Sequence, residues 1–198
     1  MSVAQSTRDG GAPDLVISEM DRELIFYITN PKSSNNFNES YEEFDPNIIQ
    51  PYPQDPSMPS DPSKRSDSLY RFEGYQIFQL KDATVTLGDA KDQYGNYNPD
   101  MVRLVAQFDV KNNVGTIVNH YFNKSVGYNV PVVEVEGGDE GIRHSFRISD
   151  DAFASGDKRL VNHKQYYFTA IAYAHNEYMK YDPEDVVAKI AERVGRNG

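Results

Sequence analysis

Short segments in which apolar and polar residues alternate, each closed by Gly, Pro, Asn or Asp, recur along most of this chain. A period of two is typical of strands, and no long segments with the 3.6-residue period of a helix separate them. The segments lie at residues 14–30, 70–81, 83–87, 102–110, 116–122, 130–136, 142–149 and 166–174. About eight short strands with turn signals between them predict an all-β fold, either a sandwich or a barrel.

The aromatic content agrees with a β fold. The chain has 14 Tyr, 10 Phe and no Trp, and Tyr and Phe favour strands. Its 198 residues, 38% of them hydrophobic, suffice for one packed core but not for two. We therefore expect one domain over residues 14–181, preceded by a linker at 1–13.

Two stretches depart from the strand pattern. Residues 32–68 are rich in proline and polar residues, which predicts a mostly irregular insertion. Near the end, Asp182-Pro183 supplies an N-cap and a first-turn proline, and apolar residues follow at helical spacing. This pattern predicts a short amphipathic helix at 182–194 within a tail that covers 182–198.

Charge and cysteine content exclude several functions. The formal net charge is −10, so phosphate backbones would repel the chain, and we expect no nucleic-acid partner. No segment approaches the ~20 apolar residues of a membrane span, so membrane insertion is not expected either. The absence of cysteine excludes disulfides, thiol catalysis and Cys-ligated zinc.

No catalytic motif is present in the sequence. The four histidines are far apart, and neither GxSxG, HExxH nor a glycine-rich phosphate loop occurs. We expect no catalytic residues and no cofactor other than calcium. The calcium candidates are the loop residues Asp89, Asp92, Asn98 and Asp100, whose side chains offer oxygen ligands. Their order departs from the EF-hand pattern, and ordinary turn residues are the alternative interpretation.

Exposed tyrosines suggest a second kind of site, a face that stacks on sugars or docks a protein. The candidates are Tyr94, Tyr97, Tyr121 and Tyr128. The alternative, which we prefer, is that a chain without Trp uses its tyrosines for packing.

Three stretches together resemble fibronectin type III modules. In that family one early strand has apolar residues at two-residue steps before a proline, a later strand carries an apolar-x-Gly-Tyr-x-apolar pattern, and a Leu precedes a strand-opening Tyr by six residues. The matching residues are Leu24, Phe26, Ile28 and Pro31, then the stretch 72–77 (FEGYQI), then Leu160 and Tyr166 followed by Phe168 and Ala170. The resemblance implies a two-sheet antiparallel β-sandwich. It also implies a structural tyrosine corner, in which the Tyr166 hydroxyl bonds a backbone carbonyl near residues 160–163.

Longer phrases, such as LYRFEGYQIFQLKDA and KRLVNHKQYYFTAIAYA, look like a module of large secreted Bacteroidota-type proteins that often carry type IX secretion sorting domains. This resemblance implies a non-catalytic, extracellular or cell-surface module that spaces or anchors neighbouring domains and contacts protein or glycan through its loops. The alternative is an accessory domain of an extracellular hydrolase whose catalytic part lies elsewhere. The chain departs from the family in its long insertion and in the lack of an evident last strand after residue 174.

Overall fold

A computed structural model describes residues 4–5, 12–44, 69–92 and 95–176. The regular secondary structure of the described residues is almost entirely β-strand. Its strands are β1 (Ala4–Gln5), β2 (Asp14–Met20), β3 (Glu23–Thr29), β4 (Glu42–Phe44), β5 (Leu69–Leu80), β6 (Val102–Asp109), β7 (Thr116–Asn123), β8 (Tyr128–Glu136), β9 (Ser145–Ile148) and β10 (Tyr167–His175). One α-helical turn, α1 (Leu87–Ala90), and a 3₁₀ turn at Phe37–Glu39 interrupt them.

The strands form three antiparallel sheets. The first has the order β2-β3-β9, and the second has the order β1-β10-β5-β4 with β6 also paired to β5. The third is the hairpin β7-β8. The prediction of an all-β antiparallel sandwich is confirmed.

The main core lies between the first two sheets. Phe26 and Ile28 of β3 face Tyr75 and Ile77 of β5, and all four are at most 2% exposed. Ala170 of β10 is buried in the same core. These five residues were expected to be buried between the sheets, together with Phe168, which is partly buried and meets Phe26 edge-on at 4.9 Å between ring centroids.

The hairpin β7-β8 adds a layer that the sequence did not predict. Ile117 and Val135 of the hairpin pack with Tyr173 of β10, on the face of the second sheet opposite to the main core. Strand β5 is therefore covered on both sides, and its eight consecutive residues 72–79 are buried. This double burial encloses polar side chains of β5 as well as apolar ones, namely Glu73, Gln76 and Gln79.

One strand prediction is wrong. Residues 83–87 were expected to form a strand, but they form a turn that leads into α1. The Thr86 side chain accepts a hydrogen bond from Asp89 N–H and so caps the first helical turn. The cap overrides the β-propensity of the alternating Thr and Val residues.

The insertion and the linker are described only in part. The beginning of the insertion holds the 3₁₀ turn and β4, and Tyr41 anchors it in the main core at 7% exposure. Within the predicted linker, Ala4–Gln5 pairs with Ala174 and Tyr173 of β10. The rest of the insertion, 45–68, and the helix expected at 182–194 lie outside the described residues.

Candidate functional site

A cleft of about 640 Å³ opens at one end of the sandwich, between the first and second sheets. One wall is the β2–β3 hairpin around its turn at Asp21 and Arg22, and the other is the segment that leads into β10. The cleft is lined by residues 17, 19–24 and 160–168. It therefore includes Leu160 and Tyr166, the two residues expected to form the tyrosine corner.

Asn162 joins the two walls of the cleft. Its Oδ1 accepts a hydrogen bond from Arg22 N–H at 2.9 Å, and its Nδ2 donates to Asp21 Oδ1 at 2.8 Å. Arg22 has a φ of 54° and His163 a φ of 64°, so a non-glycine residue adopts the left-handed region at each loop tip. A left-handed backbone at a non-glycine residue costs free energy. The hydrogen bonds of Asn162 help to hold the two loop tips in this arrangement.

The tyrosine expected at the corner does bond to the backbone upstream of it. Val161 N–H donates to the Tyr166 hydroxyl at 2.8 Å, while Leu160 is buried with Phe26 and Ile148. The direction of the bond differs from the expectation, because the hydroxyl accepts from an amide instead of donating to a carbonyl. The Tyr166 ring packs against the same cluster, with Lys164 Nζ 5.0 Å above its centroid.

We expect Tyr166→Phe to lower the free energy of unfolding by about 1 kcal/mol, the usual net worth of one hydrogen bond. The loss stays modest because Val161 is exposed, so water can replace the lost acceptor. Tyr167→Phe is the matched control: its hydroxyl contacts only the exposed Gln165 at 3.1 Å, and we expect almost no change. Urea titrations of both variants measure the difference. A larger loss for Tyr167→Phe would contradict the assigned role of Tyr166.

A buried carboxylate fixes the wall of the cleft to the second sheet. Asp151, 2% exposed, accepts hydrogen bonds from Gln79 Nε2 at 2.8 Å and from Lys164 Nζ at 2.6 Å. Burial by itself would raise the pKa of Asp151, but the bonds from Lys164, Gln79 and the Phe153 amide outweigh it and hold the pKa below its ordinary value. The pKa of Lys164 is raised by the same bond.

We expect Asp151→Asn to lower the free energy of unfolding at pH 7 by about 2 kcal/mol, as for hydrogen bonds to a charged group. Because folding lowers the pKa of Asp151, its carboxylate stabilises the folded state at pH values above the pKa of the unfolded chain, near 3.9. This stability is lost as the pH falls through the pKa of the folded state. The variant should therefore lose less stability than the parent between about pH 5 and pH 2. Asp150→Asn, at the exposed neighbouring residue, should keep the parent's stability at pH 7. Equal acid dependence in the parent and in Asp151→Asn would contradict the assignment.

The calcium candidates do not converge in the structure. The Asp89 carboxylate bonds the Thr86 hydroxyl, Asp92 accepts from the Asn96 amide, and Asn98 accepts from Asp100 N–H. The side chains of Asp89, Asp92 and Asn98 are thus used in their own turns, as the alternative interpretation expects of turn residues. Within the described residues, no group of three or more His, Cys, Asp or Glu side chains could hold a metal ion.

The tyrosine candidates in the described part of the chain have different surroundings. Tyr97 packs on Phe78 with centroids 5.0 Å apart. Tyr121 bonds Glu134, whose other oxygen pairs with Lys91 at 3.0 Å. Burial, and next the hydrogen bond that the hydroxyl donates to Glu134, raise the pKa of Tyr121 to about 12. Tyr128 is exposed at the hairpin tip, and Tyr94 lies outside the described residues.

One histidine contacts an acidic group and another lines the cleft, and the sequence indicated neither. His144 Nε2 lies 2.7 Å from Glu39 Oε1, and the same oxygen accepts from the buried Tyr75 hydroxyl at 3.1 Å. This chain of bonds orients the exposed imidazole of His144. Glu39 occupies the left-handed region with a φ of 60°. The other histidine, His163, lines the cleft together with Asp21 and two glutamates.

The cleft combines the features of a small binding surface. Met20 and Val161 are 57% and 59% exposed on its rim, next to the charged Arg22 and Lys164. Sequence reasoning found Leu160 and Tyr166 through the resemblance, but it missed the opposite wall. The Arg22–Asn162 bond joins residues 140 positions apart, and no local pattern carries such a contact.

Comparison with known protein families, curated proteins and solved structures gives no match for the chain. No helix in the described part of the chain has the length and apolar character needed to cross a membrane.

Proposed function

We propose that this chain is a non-catalytic structural and interaction module of the fibronectin type III kind, which positions neighbouring domains in a secreted or cell-surface protein. The arrangement of the strands carries the proposal. Strands β2, β3 and β9 form one sheet, and the next sheet pairs β5 with β10. In immunoglobulin-like sandwiches strands A, B and E likewise share one sheet, while C and F share the other.

The bond between Tyr166 and Val161 supports the same proposal. It joins Tyr166, directly before β10, to Val161, five residues upstream. The chain passes from the first sheet to the second in this region. A module that holds other domains in place needs such fixed crossings between its sheets. The clasp made by Asn162 adds a second fixed point at the same end.

The alternative function is an accessory, glycan-binding domain of an extracellular hydrolase. The cleft favours it, because about 640 Å³ lies within the range of small-molecule sites. Its polar side chains, such as Gln165 and Asn162, could bond to sugar hydroxyls.

Two assays on the purified chain test the proposal. We expect no turnover of generic ester, peptide or glycoside substrates, and no depletion of the chain by insoluble cellulose, chitin or xylan. Turnover that is lost on His144→Ala or Glu39→Gln would overturn the proposal in favour of catalysis at the His144–Glu39 pair. Depletion by one polysaccharide, abolished by substitutions in the cleft, would favour the accessory domain instead.

A further inference from the structure

Strand β2 is a long edge of the first sheet that no other described strand covers. Its only strand neighbour among the described residues is β3, and all but one of its seven residues are exposed. Val16, Ile17 and Met20 are 53%, 39% and 57% exposed. Strands at sheet edges are usually protected by Lys, Pro, a bulge or a covering segment. Strand β2 contains no Lys or Pro, and its register with β3 is continuous.

The two charged side chains of β2 are both acidic. Asp14 and Glu19 lie near the two ends of the strand, five residues apart, and the turn that follows holds Asp21 and Arg22. No basic side chain lies within the strand. Apolar residues Val16 and Ile17 occupy its centre and point to opposite faces, since neighbouring strand residues alternate.

We propose that β2 is a docking edge for an extended partner segment that has aliphatic residues at its centre and a basic residue at each end. This inference deepens the proposed function by giving the interaction module a partner class. The partner would add as a fourth strand beside β2, with its backbone bonded to the free edge. Its basic side chains would then stand opposite Asp14 and Glu19, where opposite charges on paired strands attract.

A second copy of this chain fits the edge less well. Antiparallel self-pairing centred on Ile17 places Asp14 opposite Met20 and Glu19 opposite Leu15, so neither carboxylate meets a cation. The net charge of −10 on each copy also opposes association. The other edge of the same sheet, β9, carries Arg147 and follows Arg143, so a basic segment should avoid it.

The test is an NMR titration of the ¹⁵N-labelled full chain with the blocked peptide Lys-Thr-Val-Val-Thr-Lys. The peptide has the same sequence of side chains in both chain directions, so it tests parallel and antiparallel pairing equally. We expect progressive shifts of the β2 amides and none at β9. The peptide Glu-Thr-Val-Val-Thr-Glu should leave β2 unshifted. Methylation of alternate peptide nitrogens should abolish the shifts, because it removes the backbone donors.

The double variant Asp14→Asn, Glu19→Gln should weaken the basic peptide's affinity roughly three- to tenfold, the effect of two exposed ion pairs. Both residues are exposed, so the variant should fold like the parent. The inference is overturned by the absence of β2 shifts, by equal shifts with the acidic peptide, or by shifts that survive methylation. A concentration-dependent dimer that involves β2 overturns it in favour of a second copy. None of these outcomes changes the turnover and depletion assays, so failure of this inference is distinguishable from failure of the proposed function.

Discussion

Phe26→Ala is expected to lower the free energy of unfolding by about 3–5 kcal/mol, a large part of the stability of a domain of this size. Phe26 is 0% exposed in the centre of β3. Its ring stacks on Phe146 of β9 at 5.1 Å and meets Phe168 of β10 edge-on at 4.9 Å. One side chain thus contacts a neighbour in its own sheet and one in the opposite sheet. Truncation would leave a cavity that β-strands fixed on both sides cannot close.

Phe122→Ala is the matched control for this prediction. Phe122 has the same side chain in a strand of the hairpin β7-β8, but it is 59% exposed. The same truncation there should change the free energy of unfolding by less than about 1 kcal/mol. Urea unfolding followed by far-ultraviolet circular dichroism measures both variants. Similar losses for the two would mean that Phe26 does not pack between the sheets as described.

The burial of Phe26 shows which part of the fold could be predicted from the sequence. Alternation at two-residue steps placed Phe26 and Ile28 on one buried face, and that face is set by local spacing alone. The same reasoning failed at residues 83–87, where the alternating sequence is right for a strand but the Thr86 cap stabilises a helical turn instead. A single side-chain bond at a chain reversal can outweigh weak β-propensity over five residues.

The hairpin β7-β8 shows what local patterns cannot supply. Both strands were predicted, but their alternation does not say which surface they cover. Their buried residues Ile117 and Val135 meet Tyr173, which lies about 40 to 55 positions further along the chain. Strands β6 and β7 follow each other across the short segment 111–115, yet β6 pairs with β5 and β7 pairs with β8. Pairing depends on contacts between distant segments, which the period of one segment does not encode.

The two walls of the candidate cleft also differ in whether local sequence patterns predict them. Leu160 and Tyr166 are six residues apart, and this short spacing could be compared with a family pattern. The contacts of Asn162 with Asp21 and Arg22 cross from one sheet to the other, so only the folded arrangement reveals them. The exposed edge of β2 was equally hidden, because its apolar residues read as a core strand in the sequence.

Gly74→Ala should be nearly as damaging as Phe26→Ala, with a loss of about 3 kcal/mol in the free energy of unfolding, at the upper end for overpacking. Gly74 pairs with Tyr173 of β10 and with Asp109 of β6, so it lies between two strands in the centre of the second sheet. A Cβ atom there would lie 2.3 Å from the Phe108 carbonyl oxygen and 2.7 Å from Cζ of Tyr173. The Tyr173 ring covers the glycine, and the hairpin β7-β8 holds that ring in place from the other side. Neither the backbone nor the ring can move without opening the sheet.

Gly88→Ala is the control, since a Cβ there meets only Thr86 Oγ1 at 3.9 Å, and alanine suits the helical turn. Thermal and urea unfolding of both variants decide the matter, and a Gly74→Ala protein as stable as Gly88→Ala would show that Tyr173 does not pack over this position.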